Sequence, residues 1–172
     1  VRRSILVDSK ADVLVYGMGE LQIIELADAL DQGRFKESLP SIRGICYMAK
    51  EIPTIDYVEC PSYEAIKADK MDFADAFRIQ YDEQDPFYGR IVVQKHGDRY
   101  LIQNTPALPL TQDEMDGVYN LPYTRKWHPK YDDKGGVPAL SEVQFSLVSQ
   151  RGCFGSCSFC AITNHQGRII QN

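Results

Sequence analysis

The sequence predicts an α/β fold: an incomplete doubly wound sheet, then a hairpin and connector, then the first strand and loop of a (β/α) barrel. Three observations predict it. Apolar, β-branched runs at residues 12–16, 44–48 and 55–58 have the length and content of strands. Stretches of helical periodicity at residues 21–30 and 63–81 separate them, as βα units require. A further alternating run, residues 143–148, leads directly into a cysteine-bearing loop, and in barrels the chemistry sits on loops after strand ends.

Composition bounds the class. The 172 residues are 44% hydrophobic and 25% charged, as in an ordinary soluble globular protein, with room for about one domain plus part of another. Nineteen basic residues against twenty-four acidic ones give a net charge of −5. No basic run interleaved with aromatics suggests direct nucleic-acid binding. No apolar stretch reaches the ~18 residues of a membrane span, so a cytoplasmic protein without membrane attachment is expected. Five cysteines, three of them clustered, suit a reducing compartment and metal ligation better than a disulfide framework. The first residue is Val1 rather than methionine.

Along the chain, Ile5-Leu6-Val7 reads as a short strand and residues 12–16 as a buried parallel one. Gly17-Met18-Gly19 then turns the chain into a helix whose apolar stripe, Leu21, Ile24, Ala27 and Leu30, stops at Gly33. Such a turn either cradles an anion or is simply tight. With Gln22 where a dinucleotide fingerprint needs glycine, and with Glu20 beside it, the tight turn is preferred. Cys46 and Cys60, on strand candidates, read as small buried hydrophobes. Pro61-Ser62 starts a long amphipathic helix bearing Tyr63, Ile66, Phe73 and Phe77, which Asp69-Lys70-Met71-Asp72 divides.

Residues 90–94 and 99–103 form a hairpin across 95–98, with His96 as a solvated turn residue. Beyond Asn104 the prolines, among them Pro122, Pro129 and Pro138, mark a connector. Thr111 caps a helical turn there, and Tyr119, Tyr123, Trp127 and Tyr131 suggest packing rather than slackness. His128 reads as surface or packing. The expected domains are 1–84 (α/β), 85–140 (hairpin and connector) and 141–172 (start of a truncated barrel).

Cys153, Cys157 and Cys160 fall within eight residues, with Gly152, Gly155 and Ser156 between and before them. The spacing of three and then two residues is neither a zinc ribbon's nor a bacterial ferredoxin's. Three thiolates hold three irons of a 4Fe–4S cube and leave the fourth open, while small residues let the loop wrap closely. A zinc site completed by His165, or reactive thiols, are the bland alternatives.

The run Cys153, Cys157, Phe159, Cys160 resembles the signature of the radical S-adenosylmethionine (radical SAM) superfamily at all four positions. Residues 149–172 and 89–140 further resemble the YgiQ family of uncharacterised radical SAM proteins. The resemblance implies that the three cysteines are the metal ligands. S-adenosyl-L-methionine would chelate the open iron, with Phe159 as a cofactor-binding residue near the adenine. An electron donor such as flavodoxin or ferredoxin would drive reductive cleavage to a 5′-deoxyadenosyl radical, which acts on an unknown substrate. The α/β part resembles the Rossmann-like, cobalamin-binding-type domains that precede the barrel in relatives, but Asp-x-His-x-x-Gly is absent. The family's later glycine-rich segment is not found after Cys160, so the chain reads as an N-terminal fragment, inactive alone and with a loosely held cysteine loop. The rival reading is a ligand- or partner-binding α/β module with a structural metal.

Overall fold

The computed structural model describes residues 1–171. It divides into two compact units, the first comprising Val1–Pro109 with Gly152–Ile169, the second Leu110–Arg151 with the chain end from Ile170.

In the first unit the Ser4 hydroxyl accepts the Leu6 amide and opens a short helix, α1 (Ile5–Ser9), which closes at Lys10 in the left-handed region. The strand expected at residues 5–7 is therefore helical. A side-chain cap satisfies an amide that a strand would have had to pair with a neighbour, and of this turn only Leu6 is buried. Strand β1 (Val13–Val15) follows, then the glycine turn, helix α2 (Glu20–Asp31) and helix α3 (Phe35–Ser38). Gly17 and Gly19 both have positive φ, and a Cβ on Gly19 would stand 2.8 Å from Val15 Cγ1. Glycine is required there by the turn itself.

Strands β2 (Ile45–Ala49) and β3 (Tyr57–Cys60) precede helices α4 (Tyr63–Ala68) and α5 (Lys70–Asp82). The division expected near Asp69 is present: Ser62 caps α4, and Asp69, extended, ends α4 while its carboxylate accepts the Met71 amide to start α5. Strands β4 (Ile91–His96) and β5 (Arg99–Gln103) form the hairpin.

The sheet order is β1-β2-β5-β4-β3. Only β3 and β4 are parallel neighbours, the other three pairings being antiparallel. The open α/β sheet expected from the sequence is present, consistent with a Rossmann-like domain, and its strands are mixed in direction. The two-residue turn at Gly97-Asp98 returns β5 alongside β4, and a hairpin of that length makes antiparallel neighbours. Strand β1, expected to be buried and parallel, is a half-buried antiparallel edge.

The open α/β layering survives. Leu26 of α2 and Leu39 pack on Ile45, Tyr47, Ile91, Val93 and Ile102 across one face. On the other, Ala76 of α5 packs on Cys60 and Val92, joined by Ile66 of α4. His96 is not a solvated turn residue. The shorter turn leaves it as the last residue of β4, 8% exposed, with Nε2 3.1 Å from Gln94 Oε1 and its ring stacked on Tyr63 at 5.4 Å.

The second unit carries helix α6 (Gln112–Tyr119), opened by a reciprocal cap in which Thr111 and Glu114 satisfy each other's amides. Trp127 Nε1 donates to Asp132 at 2.7 Å, and the indole covers Gly136 so closely that a Cβ there would lie 2.5 Å from it. His128 is exposed and caps a 3-10 turn at Pro129–Lys134. The strand expected over residues 143–148 is absent. Leu140–Val143 forms a helical turn, α7, and Phe145 and Leu147 are 77% and 94% exposed. Among the described residues no strand lies beside this run to take up its backbone groups, so alternation alone does not make it a strand. No helix among the described residues is long and apolar enough to cross a membrane.

Candidate metal centre

The cysteine loop belongs to the sheet-bearing unit and hangs on backbone hydrogen bonds of its own. The Cys153 amide donates to Gly167 O at 3.1 Å, the Gly152 amide to Gln166 Oε1 at 3.1 Å, and the Cys160 amide to Cys157 O at 3.0 Å. Gly152 is left-handed (φ +80°), and a Cβ on it would fall 2.0 Å from Ile169 O, so the sequence has one option there. A Cβ on Gly155 would lie 3.3 Å from Cys153 Sγ, a tight contact, and 3.9 Å from Cys157 Sγ, an ordinary one.

After Cys160 the chain enters a short helix, α8 (Ala161–Gln166), with Cys160 at its N-cap. The backbone amides of Thr163 and then Ile162 face the Cys160 sulfur and hold its thiol below the ordinary range, against a smaller opposing effect of desolvation. A thiolate is the form a metal takes up. Cys153 and Cys160 are half-buried and Cys157 is exposed.

The donor set suits an iron–sulfur cube in chemistry: three thiols on one loop, small residues around them, and one sulfur already biased toward its anion. Among the described residues, however, no group of three ligating side chains stands ready around a single point. Phe159 and Phe154, 89% and 83% exposed, flank the loop without covering it. Cys46 and Cys60 lie in strands β2 and β3, away from the loop in sequence and buried, and burial pushes their thiols up to about 12 and about 11. They are the small core residues the sequence suggested.

Four contacts that sequence reasoning missed tie the loop to α5. Tyr81 donates its hydroxyl to Ser156 O at 2.9 Å. The Arg168 guanidinium stacks on the Tyr81 ring at 3.6 Å and donates through Nη2 to Tyr81 O at 2.8 Å. Gln84 Nε2 donates to Asn164 Oδ1 at 3.0 Å. The end of α5 is itself fixed by Glu83, 7% exposed. Its carboxylate accepts the Arg90 amide at 2.6 Å and the guanidinium at 2.5 and 3.1 Å. Burial alone would raise the Glu83 carboxyl, but the hydrogen bonds and charge of Arg90 outweigh it and hold the group below its ordinary value. No local pattern announces Tyr81 or Arg168, because their partners lie far along the chain. Gly17, at the glycine turn, stands beside α8, where its Cβ would come 3.8 Å from His165 O.

A family model described as radical SAM N-terminal matches residues 1–146. The chain is 53% identical, over its whole length, to a UPF0313 protein of Clostridium botulinum (strain ATCC 19397 / Type A), and 52% identical over 99% of its length to a UPF0313 protein of Clostridium perfringens (strain 13 / Type A). It spans about a quarter of those relatives, 27% and 26% of their lengths. No solved structure matches it.

Proposed function

The chain belongs to the radical SAM N-terminal family, and from that premise we propose that it is the N-terminal part of a radical SAM enzyme whose cluster is held by Cys153, Cys157 and Cys160. The observation that carries this reading is the run Cys153, Cys157, Phe159, Cys160 in a chain of that family. Cys153, Cys157 and Cys160 would hold a 4Fe–4S cluster, and the chemistry it would supply is one-electron reductive cleavage of S-adenosyl-L-methionine.

The protein's own residues prepare the site. Gly155 leaves room beside the Cys153 sulfur, the amides after Cys160 favour its thiolate, and Tyr81 with Arg168 anchors the loop to a helix rather than leaving it on coil. Phe159, exposed beside the last ligand, is the residue that the resemblance to radical SAM proteins puts near the adenine. The electron comes from a soluble donor such as flavodoxin or ferredoxin, the protein acts in the cytoplasm without binding nucleic acid, and the hydrogen-atom donor is a substrate yet to be found.

Anaerobic iron–sulfur reconstitution of the full-length protein tests this. About four irons per chain and an EPR signal that S-adenosyl-L-methionine shifts are expected. Cys157→Ala should lose both the signal and the reductive release of methionine. Retention of both in that variant would sink the reading.

A further inference from the structure

The sheet has a second functional end. Strands β2, β3 and β4 point the same way, and their carboxyl ends lie opposite the glycine turn and the end of α5, where the cysteine loop is anchored. Helices α2 and α3 cover one face of the sheet and α4 and α5 the other. The elements therefore diverge at those carboxyl ends, the place where open α/β sheets hold ligands. A cavity of about 1090 Å³ opens there, of the order of a small-molecule site.

Its walls are unlike the rest of this acidic chain. Five cationic side chains border it: Arg3, Lys10, Lys36, Lys50 and Arg99. Arg3 is engaged by Asp8 at 2.6 Å, and Arg99 donates to Met48 O at 3.3 Å. Lys10, Lys36 and Lys50 have no ion-pair partner among the described residues. Of the three carboxylates in the wall, Glu64 accepts the Gly97 amide at 3.2 Å and keeps its charge, so that Glu64, Asp12 and Asp98 together oppose five cations. Tyr63 and the more than nine-tenths buried His96 stack in the same wall. His96 Nδ1 has no hydrogen-bond partner, a rare condition for a buried polar atom and one that a bound polar group or its water relieves.

We propose that this cavity binds a phosphate-bearing small molecule of nucleotide size, its phosphate among Lys10, Lys36 and Lys50 and its ring beside Tyr63. Five cations against three carboxylates leave the wall net positive, and the three lysines without an ion-pair partner are the groups that would meet a phosphate dianion. The half-buried aromatic beside them accepts a flat ring, and the volume leaves room for a sugar between. The site is separate from the cysteine loop, so it stands or falls independently of the cluster.

Isothermal titration of the full-length protein with AMP, and with adenosine as the uncharged probe, tests it. AMP should bind, adenosine at least about tenfold more weakly, and Lys36→Gln/Lys50→Gln should weaken AMP about tenfold while leaving the cluster's absorption unchanged. Lys36→Arg/Lys50→Arg should restore the affinity. Any other adenosine site contributes equally to parent and variants. No AMP binding, equal affinity for adenosine, or equal affinity in the glutamine variant overturns the proposal.

Discussion

His96 shows what one side chain owes to distant sequence. Its imidazole ends β4 beneath Tyr63, and burial pushes its pKa below the ordinary histidine value. The nearby Glu64 charge raises it and that of Arg3 lowers it, neither as strongly as burial. The folded state thus binds a proton less readily than the unfolded one. The stability that comes from a neutral His96 is complete above the ordinary value of about 6.5 and is lost as pH falls through the lower folded value. Denaturant unfolding between pH 7 and pH 5 should show this loss, and His96→Gln should flatten it. An unchanged slope in that variant would place the acid sensitivity elsewhere. Nothing near His96 in sequence announces its burial, because the covering ring comes from α4, whereas Cys153, Cys157 and Cys160 are legible at sight because their relation is local.

At the scale of elements, α5 does two jobs with opposite ends. Its start was legible only as a division of the long amphipathic run at Asp69-Lys70-Met71-Asp72, where Asp69 supplies the cap. Its end was not, since Tyr81, Glu83 and Gln84 acquire their roles from residues that arrive later in the chain. Tyr81 is the positioning residue with the clearest test. Tyr81→Phe removes the hydrogen bond to Ser156 O and keeps the ring under Arg168, which should cost the loop about 1 kcal/mol. Tyr81→Leu removes both contacts and should cost more. Hydrogen exchange at the Cys153 and Cys160 amides reads this directly, with a several-fold loss of protection for phenylalanine and a larger one for leucine. Protection unaltered in both would mean that α5 does not hold the loop.

For the whole molecule, helices and strands were mostly legible, and the directions of the strands were not. Periodicity located the helices but not their buried faces: in α2 the expected Ile24, Ala27 and Leu30 are exposed while Leu26 and Ala29 are buried, and Phe73 and Phe77 of α5 are exposed too. Neighbours and polarity follow from the Gly97-Asp98 turn and from long-range pairing of β2 with β5. That pairing buries Cys46 inside the sheet, and the parallel β3–β4 pair buries Cys60, which gives the fold a signature in alkali. Both thiols stay protonated in the folded state well past the ordinary cysteine range, up to about 12 and about 11, because burial disfavours the thiolate. The unfolded chain releases those protons near pH 9. Stability from the neutral thiols is therefore complete below that value, falls as pH rises beyond it, and is gone above the folded values. At pH 10 the two together should remove roughly 2 to 3 kcal/mol. Substituting Cys46→Val and Cys60→Ala takes this contribution away, so the double variant, although less stable at pH 7 from lost packing, should lose less between pH 8 and pH 10 than the parent. Equal losses in urea unfolding across that interval would mean that the two cysteines are not sealed in the sheet.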